Sequence, residues 1–304
     1  MNIIRPMEPG EEMEVARLIH HSTNHWYETH QFAPVFPGDP EDCLIFPETY
    51  EALDPGHCFV AIDPDSKEII GSCFHHPRPT HHSLGIMNAH PNHRGVAKAL
   101  LQHIIQIATE AGKPLRLVSS AGNLDSFSLY SRHGFKPYAV YQDMTIAVPE
   151  GGLPLPPNSV TTRQAIPDDA PAIARLELDL IETSREKDWL YFIEQQDGPW
   201  KVNVTIDDKG RVTGAIASID HPGTHMIGPA VAPDVPTLLT LLVTQLNHHP
   251  GKAPLFLAPS DQPVLLAALY RTGARNHEIH LAQSLGPPPK ISGLTMPTFL
   301  PETA

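Results

Sequence analysis

The sequence predicts an α/β (α+β) protein made of two similar domains, and three observations carry that prediction. At 304 residues the chain is long enough for two domains of about 150, each burying its own core. Pro149-Glu150-Gly151-Gly152-Leu153-Pro154-Leu155-Pro156-Pro157 is a stiff, proline-rich stretch that reads as a linker over 149–158. Directly after it the opening of the chain recurs. Ile4-Arg5 through Ala16-Arg17-Leu18 matches Thr162-Arg163 through Ala174-Arg175-Leu176 in register and without a gap. The expected units are 1–148, 159–285 and a proline-rich tail over 286–304.

In the first unit, Ile3–Arg5 suits a strand, and Met13, Ala16 and Ile19 mark one face of a helix. Cys58–Ile62 and Ile69–Phe74 form a hairpin across Asp63-Pro64-Asp65-Ser66. A register centred on Asp65-Ser66 would set Cys58 opposite Cys73. His82–Ala89 reads as a strand that ends at His90-Pro91. Gly95 then allows close backbone approach, and a helix follows on Val96, Leu100, Ile104, Ile107, Ala108 and Ala111, stopping at Gly112-Lys113-Pro114. Strand, glycine turn and helix N-terminus make an anion site, because unpaired N–H groups and the helix dipole both favour phosphate. Arg94 and Lys98 add positive charge there. After a strand at Leu115–Ser119, Asn123 is placed to cap a short helix, with Asp125 suited to its positive end. Leu124, Phe127, Tyr130 and Ser131 recur at helical steps, Gly134 is a natural left-handed stop, and Phe135–Val148 returns as extended chain through Tyr141 and Met144. On the residues alone, an ordinary strand–turn–helix and a core tyrosine fit as well.

The spacing of Asn123, Tyr130, Gly134 and Phe135, with Arg94-Gly95-Val96-Ala97-Lys98-Ala99-Leu100-Leu101 upstream, resembles an acyl-CoA-dependent N-acyltransferase of the GCN5-related (GNAT) type. The resemblance covers residues 1–148. It implies a mixed, mostly antiparallel twisted sheet flanked by helices, with two parallel strands splayed to form a cofactor cleft. It further implies that Met87, Asn88 and Ala89 bond the pantetheine arm of acetyl-CoA or another acyl-CoA. Backbone N–H groups of Asn92, His93, Arg94, Gly95, Val96 and Ala97 would hold the pyrophosphate. Asn123 would bond the pantetheine, and Tyr130 would protonate the leaving sulfur. The family loop is Gln/Arg-x-x-Gly-x-Gly/Ala. Aligning Gly95 and Ala97 here puts Asn92 at its first position and leaves the connection from Pro91 two residues short, which predicts a weaker grip on the diphosphate.

The second copy lacks this chemistry. Gly214 answers Gly71, Thr224-His225 answers Thr80-His81, and Leu269-Tyr270 answers Leu129-Tyr130. Val235-Pro236-Thr237-Leu238 replaces the glycine loop, its proline removing a donor, and Pro263 is read at the Asn123 position. A degenerate, structural copy that shapes the acceptor side is expected.

Composition bounds the function. The first 150 residues carry 10 Lys+Arg against 18 Asp+Glu, and the remainder 11 against 16. No basic stripe appears, so nucleic-acid and acidic-membrane partners are not expected. No apolar run is long enough to span a bilayer; neither a signal peptide nor a membrane span is expected, a cytoplasmic protein is, and a homodimer is left open. Cys43, Cys58 and Cys73 form no Cys-x-x-Cys pair. Thirteen of nineteen histidines fall in the first unit, several as adjacent pairs, but adjacent residues on a strand face opposite ways and cannot chelate together. No metal is expected.

The aromatic segment over 22–56 is the place for an acceptor pocket, which puts substrate contacts at His25, Trp26, Tyr27 and Glu28. No Glu lies on the His82–Ala89 strand, so His82, or Glu28 through water, is the candidate base. The expected activity is direct transfer of an acyl group, acetyl by resemblance, from CoA to an amine of a small molecule or peptide. The rival is a catalytically inactive CoA-binding sensor or scaffold; a metal-binding protein on the same scaffold is the third reading.

Overall fold

Two arginines open the two halves of the chain in the same way. Arg5 grips Glu11 with both terminal nitrogens, at 2.8 and 2.6 Å, while Glu11 also accepts the Glu8 N–H. Arg163 grips Asp169 at 2.6 and 2.7 Å, while Asp169 accepts the Ile166 N–H. Each clamp fixes the entry of the strand into the first helix of its half. The structure, a computed structural model, describes residues 3–298.

The first half runs β1 (Ile3–Pro6), α1 (Glu12–Thr29), α2 (Ile45–Leu53), β2 (Cys58–Ile62), β3 (Ile69–Pro77), β4 (His82–Ala89) and α3 (Val96–Glu110). It closes with β5 (Leu115–Ser120), α4 (Leu124–Arg132) and β6 (Lys136–Thr145). The second half repeats the series as β7 (Thr162–Gln164), α5 (Ala170–Ile181), α6 (Glu186–Glu194), β8 (Trp200–Ile206), β9 (Val212–His221), β10 (Thr224–Ala232) and α7 (Val235–Leu246). It closes with β11 (Leu255–Pro259), α8 (Pro263–Arg271) and β12 (Arg275–Leu285), and β13 (Leu294–Met296) follows.

The repeat extends to the strand registers. Cys73 opposite Met87 and His75 opposite Leu84 become Ile216 opposite Ala230 and Ser218 opposite Ile227. In both halves the ladder slips between these pairs, at Gly85-Ile86 and again at Gly228-Pro229. Such a bulge bends β4 and β10 away from their next neighbours. Accordingly β4 pairs with parallel β5 only at His82–Leu115 and Ser83–Arg116, then diverges.

One sheet of thirteen strands joins the halves, and their closing strands are exchanged. β12 lies between β5 and β6, and β6 lies between β12 and β11, all antiparallel. Each half therefore completes the sheet of the other. Residues of β2 alternate between two cores: Cys58, Val60 and Ile62 pack with α1, α2, α5 and α6, while Phe59 and Ala61 pack with α3 and Tyr130. Gly71 lets α3 lie close on the sheet, since a Cβ there would sit 2.4 Å from Val96 Cγ1. Gly214 does the same for α7, with Thr237 Cγ2 and Leu241 Cδ1 each at 3.0 Å.

The structure corrects three sequence expectations. A register shift at Ile70 sets Cys58 opposite Phe74 and Cys73 opposite Phe59, so the two thiols face opposite cores. By the ladder, His225 takes the place of His82 rather than that of His81, one residue from the match read in sequence. In the α4 and α8 stops, Phe135 N–H bonds Tyr130 O and Ala274 N–H bonds Leu269 O. Leu269, not Tyr270, thus holds the Tyr130 position, and Gln262, not Pro263, is the cap that answers Asn123. Tyr270 is exposed and donates to Gln142.

Candidate active site

Beyond Ser83, β4 has no strand partner on its β5 side among the described residues. The His90 N–H bonds Ile70 O on β3, so by two-residue alternation Met87 and Ala89 turn their main-chain groups into the gap. The Asn88 side chain points elsewhere: it donates to Ser22 Oγ at 2.8 Å and Thr23 Oγ1 at 3.0 Å and ties β4 to α1. At the end of the gap, α3 begins after Gly95, whose φ of +83° suits glycine and whose absent side chain caps nothing. Asn92 N–H is bonded to the His90 ring and His93 N–H to His90 O. The sequence assigned those two amides to the diphosphate; His90 takes them instead, leaving Arg94, Gly95, Val96 and Ala97 to present N–H groups there. Across the gap, Asn123 Oδ1 accepts the Ser126 N–H at 3.0 Å, the cap expected from sequence. Tyr130 is buried and lies 5.7 Å from Phe135, ring to ring, on the α3 face. Leu124, expected on the same inner face, is exposed.

In the second half the chain itself fills the corresponding gap. β13 pairs with β10 at Ala230, Val231 and Ala232, which answer Met87, Asn88 and Ala89. Leu294–Met296 thus lies where a strand-like ligand would lie in the first half. The Asp234 carboxylate caps α7 through the Thr237 N–H at 2.9 Å, an internal anion at the helix N-terminus. Pro236 removes one further donor.

On the α1 side, the first-half gap opens into a cleft of about 720 Å³ lined by both halves. Ile86 of β4 and Val118, Ser119 and Ser120 of β5 stand at its border with the gap. Its outer wall is the 32–36 loop, held because the Asn24 amide pairs with Phe36 N and O at 2.9 and 2.8 Å. Its polar floor comes from the exchanged strands. His280 Nδ1 lies 2.7 Å from Asp143 Oδ1, Ser120 Oγ donates to Glu278 Oε1, and Tyr27 OH donates to Glu278 Oε2 at 3.2 Å. Burial first, then the charge of Glu278, pushes the Tyr27 phenol above its ordinary range, so it remains a donor. Ser120 Oγ also accepts the N–H groups of Gly122 and Asn123, linking this floor to the α4 cap.

Residues 20–135 match the acetyltransferase (GNAT) family. That match lies wholly within the first half of the chain. A search of curated protein sequences gives no match. Among solved structures, a proposed acetyltransferase from Pyrococcus horikoshii superposes with a TM-score of 0.75 at 14% identity, covering 98% of this chain and 95% of that one. A GCN5-related N-acetyltransferase from Sphaerobacter thermophilus gives 0.62 at 19% identity, with 93% and 95% covered. A tandem GNAT protein from the clavulanic acid biosynthesis pathway gives 0.60 at 12% identity, with 94% and 99% covered. At these identities the likeness shows a shared fold over both halves.

Of the acceptor residues expected from the sequence, Tyr27 lines the cleft and the others do not. Because α1 continues to Thr29, Thr23 and Tyr27, one turn apart, share the cleft face. His25 and Glu28 are exposed, and Trp26 stacks on His30 at 4.2 Å. His82 sits at the closed end of β4, where His75 Nε2 lies 2.8 Å from its Nδ1. Burial first, then nearby cations, lower its pKa to about 4. Sequence reasoning missed Asp143, Glu278 and His280. The signal was present only as His277-Glu278-Ile279-His280 in an alternating run, with nothing to say that it enters the other half's sheet.

Proposed function

We propose that the first half, 1–148, transfers an acyl group, acetyl foremost, from coenzyme A to an amine, and that 159–285 serves it as scaffold and acceptor wall. The observation that carries this is the contrast between the two gaps. The first has open main-chain edges at Met87 and Ala89 with an uncapped α3 beyond them, whereas the second holds β13 and the Asp234 carboxylate. In this reading Met87 and Ala89 bond the pantetheine as a strand would, and amides from Arg94 to Ala97 receive the diphosphate, assisted by the helix dipole. The Asn123 amide, its oxygen already used in the cap, donates its Nδ2 hydrogens to the pantetheine.

The sulfur then lies in the sheet between two faces, with Tyr130 on the α3 side and the cleft on the α1 side. An amine in the cleft attacks the thioester carbonyl; the Ala89 or Met87 N–H polarises that carbonyl. The adduct collapses by expelling sulfur, which takes a proton from the Tyr130 phenol, general-acid help worth about 10²–10⁴-fold. Holding both reactants across one gap supplies much of the remaining acceleration.

The test is thiol release from acetyl-CoA over an amine panel, together with Tyr130→Phe. The variant should lose about 10²-fold in turnover, at the low end of the general-acid range, with acetyl-CoA affinity kept within twofold. Unchanged turnover removes Tyr130 from the chemistry. Acetyl-CoA binding without thiol release for any amine would favour a sensor, and absence of binding by acetyl-CoA and longer acyl-CoAs ends the reading.

A further inference from the structure

We infer that the cleft selects amines that arrive as ammonium ions on an apolar or aromatic body, with Glu278 holding the ammonium and the Asp143–His280 pair accepting its proton. This rests on the acyl-transfer reading above and adds the substrate class and the proton acceptor.

The lining of the cleft has two carboxylates, Asp143 and Glu278, and neither Lys nor Arg. Its remaining wall is largely apolar, with Phe32, Val35, Phe36, Phe46, Ile86 and Met226 facing the same space. Taking a cation out of water into such a wall is costly unless a carboxylate meets it, and a carboxylate on the substrate would face uncompensated repulsion. Charge and surface therefore select together: a positive head, an apolar body, no negative group.

The floor is built from exchanged strands. Glu278 and His280 stand two apart on β12, on one face, and Glu278 is directly opposite Asp143 on β6. His280 is opposite Ser120 on β5, at the border of the gap. A carboxylate on an imidazole nitrogen orients the ring and stabilises its protonated form. An ammonium has no lone pair, so it must give up a proton before attack. In the balanced step, that proton passes to His280 and the freed lone pair forms the N–C bond. The C–S bond breaks as sulfur takes the Tyr130 proton, and Tyr130 regains one from the adduct nitrogen. The net products are the amide, CoA thiol and one proton, which leaves for solvent from the imidazolium. Glu278, His280 and the 223–226 edge all come from the second half, so the acceptor site is incomplete in the first half alone.

Matched pairs test this on the full chain: phenethylamine against phenylalanine, tyramine against tyrosine, hexylamine against 6-aminohexanoate, each with acetyl-CoA. The cationic member of each pair should have kcat/KM about 10²-fold above its carboxylate-bearing partner, ~3 kcal/mol of discrimination. Glu278→Gln should raise the amine KM tenfold or more with the acetyl-CoA KM unchanged. His280→Gln should lower kcat, and the loss should shrink as pH rises and free amine accumulates. A merely structural role would give no such recovery. Asp143, Glu278, Tyr27, His277 and His225 are the other titratable groups on this cleft, so the profile is compared with Glu278→Gln. Equal or better use of the carboxylate-bearing partners overturns the inference, as does an unchanged amine KM in Glu278→Gln. A thermal shift with zinc, whose possible donors Asp143, Glu278 and His280 lie within 4.8 Å of one another, together with indifference to the cationic amines, also overturns it. Glu278 is half-buried, so its variant carries the test if His280→Gln does not fold. Acetyl-CoA binding separates the outcomes: binding with the wrong amine preference defeats this inference alone, and no binding defeats the acyl-transfer reading beneath it.

Discussion

His82 shows how a residue chosen for catalysis by sequence can serve stability instead. His57 Nδ1 lies 2.9 Å from His75 Nδ1, and His75 Nε2 lies 2.8 Å from His82 Nδ1, forming a chain of three imidazoles. A neutral His75 can donate to one neighbour and accept from the other; a second proton on the chain breaks it. Burial is the first cause that lowers all three, to about 4 for His82 and further for His75, and the nearby charges of Lys113, Lys187 and Arg78 act in the same direction. Asp54 opposes the shift at His57 and His75. The sign follows: unfolded histidine binds its proton near pH 6.5, so the stabilisation is complete above that value and is lost as pH falls through 4. The melting temperature should drop between pH 7 and pH 4.5 by roughly 5 °C more in the natural chain than in His75→Gln. Equal slopes in scanning calorimetry would mean the imidazole chain does not titrate in this window.

At the scale of elements, most of the first half was legible. The limits of β2, β4 and α3, the Asn123 cap and the Gly134 turn follow from local signals: alternation, a capping side chain, a glycine at φ +91°. The long-range facts were not. Nothing local states that β12 enters beside β5, because an alternating strand carries no address for its neighbour. The bulge at Ile70 that separates Cys58 from Cys73 had no glycine or proline of its own to announce it. The tail was likewise unread, since a three-residue strand after Gly286-Pro287-Pro288-Pro289 has almost no periodicity. Its side chains nonetheless join a core: Leu294 and Met296 are buried among Ile227, Ala230 and Leu238. A chain ending at Leu285 should lose about 3–6 kcal/mol, from two apolar side chains at roughly 1.5–3 each. It should gain no second acetyl-CoA site, because Asp234 still caps α7 and Pro236 still lacks its N–H. Calorimetric titration giving two equivalents per chain would show that β13 alone closes that gap.

For the whole molecule, strand exchange and a buried charge cluster make the two halves one cooperative body. Arg78 of the first half bonds Asp54 through Nη1 at 3.0 and 2.9 Å and Asp188 of α6 through Nε at 2.9 Å. His76 and Lys187 also hold Asp54, and their bonds and charges, with that of Arg78, outweigh burial and keep its carboxyl below the ordinary range. All three principal members, Asp54, Arg78 and Asp188, are almost wholly buried. A buried pair adds little over apolar packing, but removing one partner strands the other charge. Asp188→Ala should therefore cost about 3–5 kcal/mol, although it deletes one hydrogen-bonded carboxylate from the second half and nothing from the first. Because β12 is stitched between β5 and β6, that loss cannot be confined to the half that carries the mutation. Urea unfolding can be followed at Trp26 of α1 in one variant and at Trp189 and Trp200 in another, with the remaining tryptophans replaced. Both probes should move to the same lower midpoint in a single transition. Two separated midpoints would mean that the halves fold independently and that the exchanged strands join finished domains rather than completing unfinished ones.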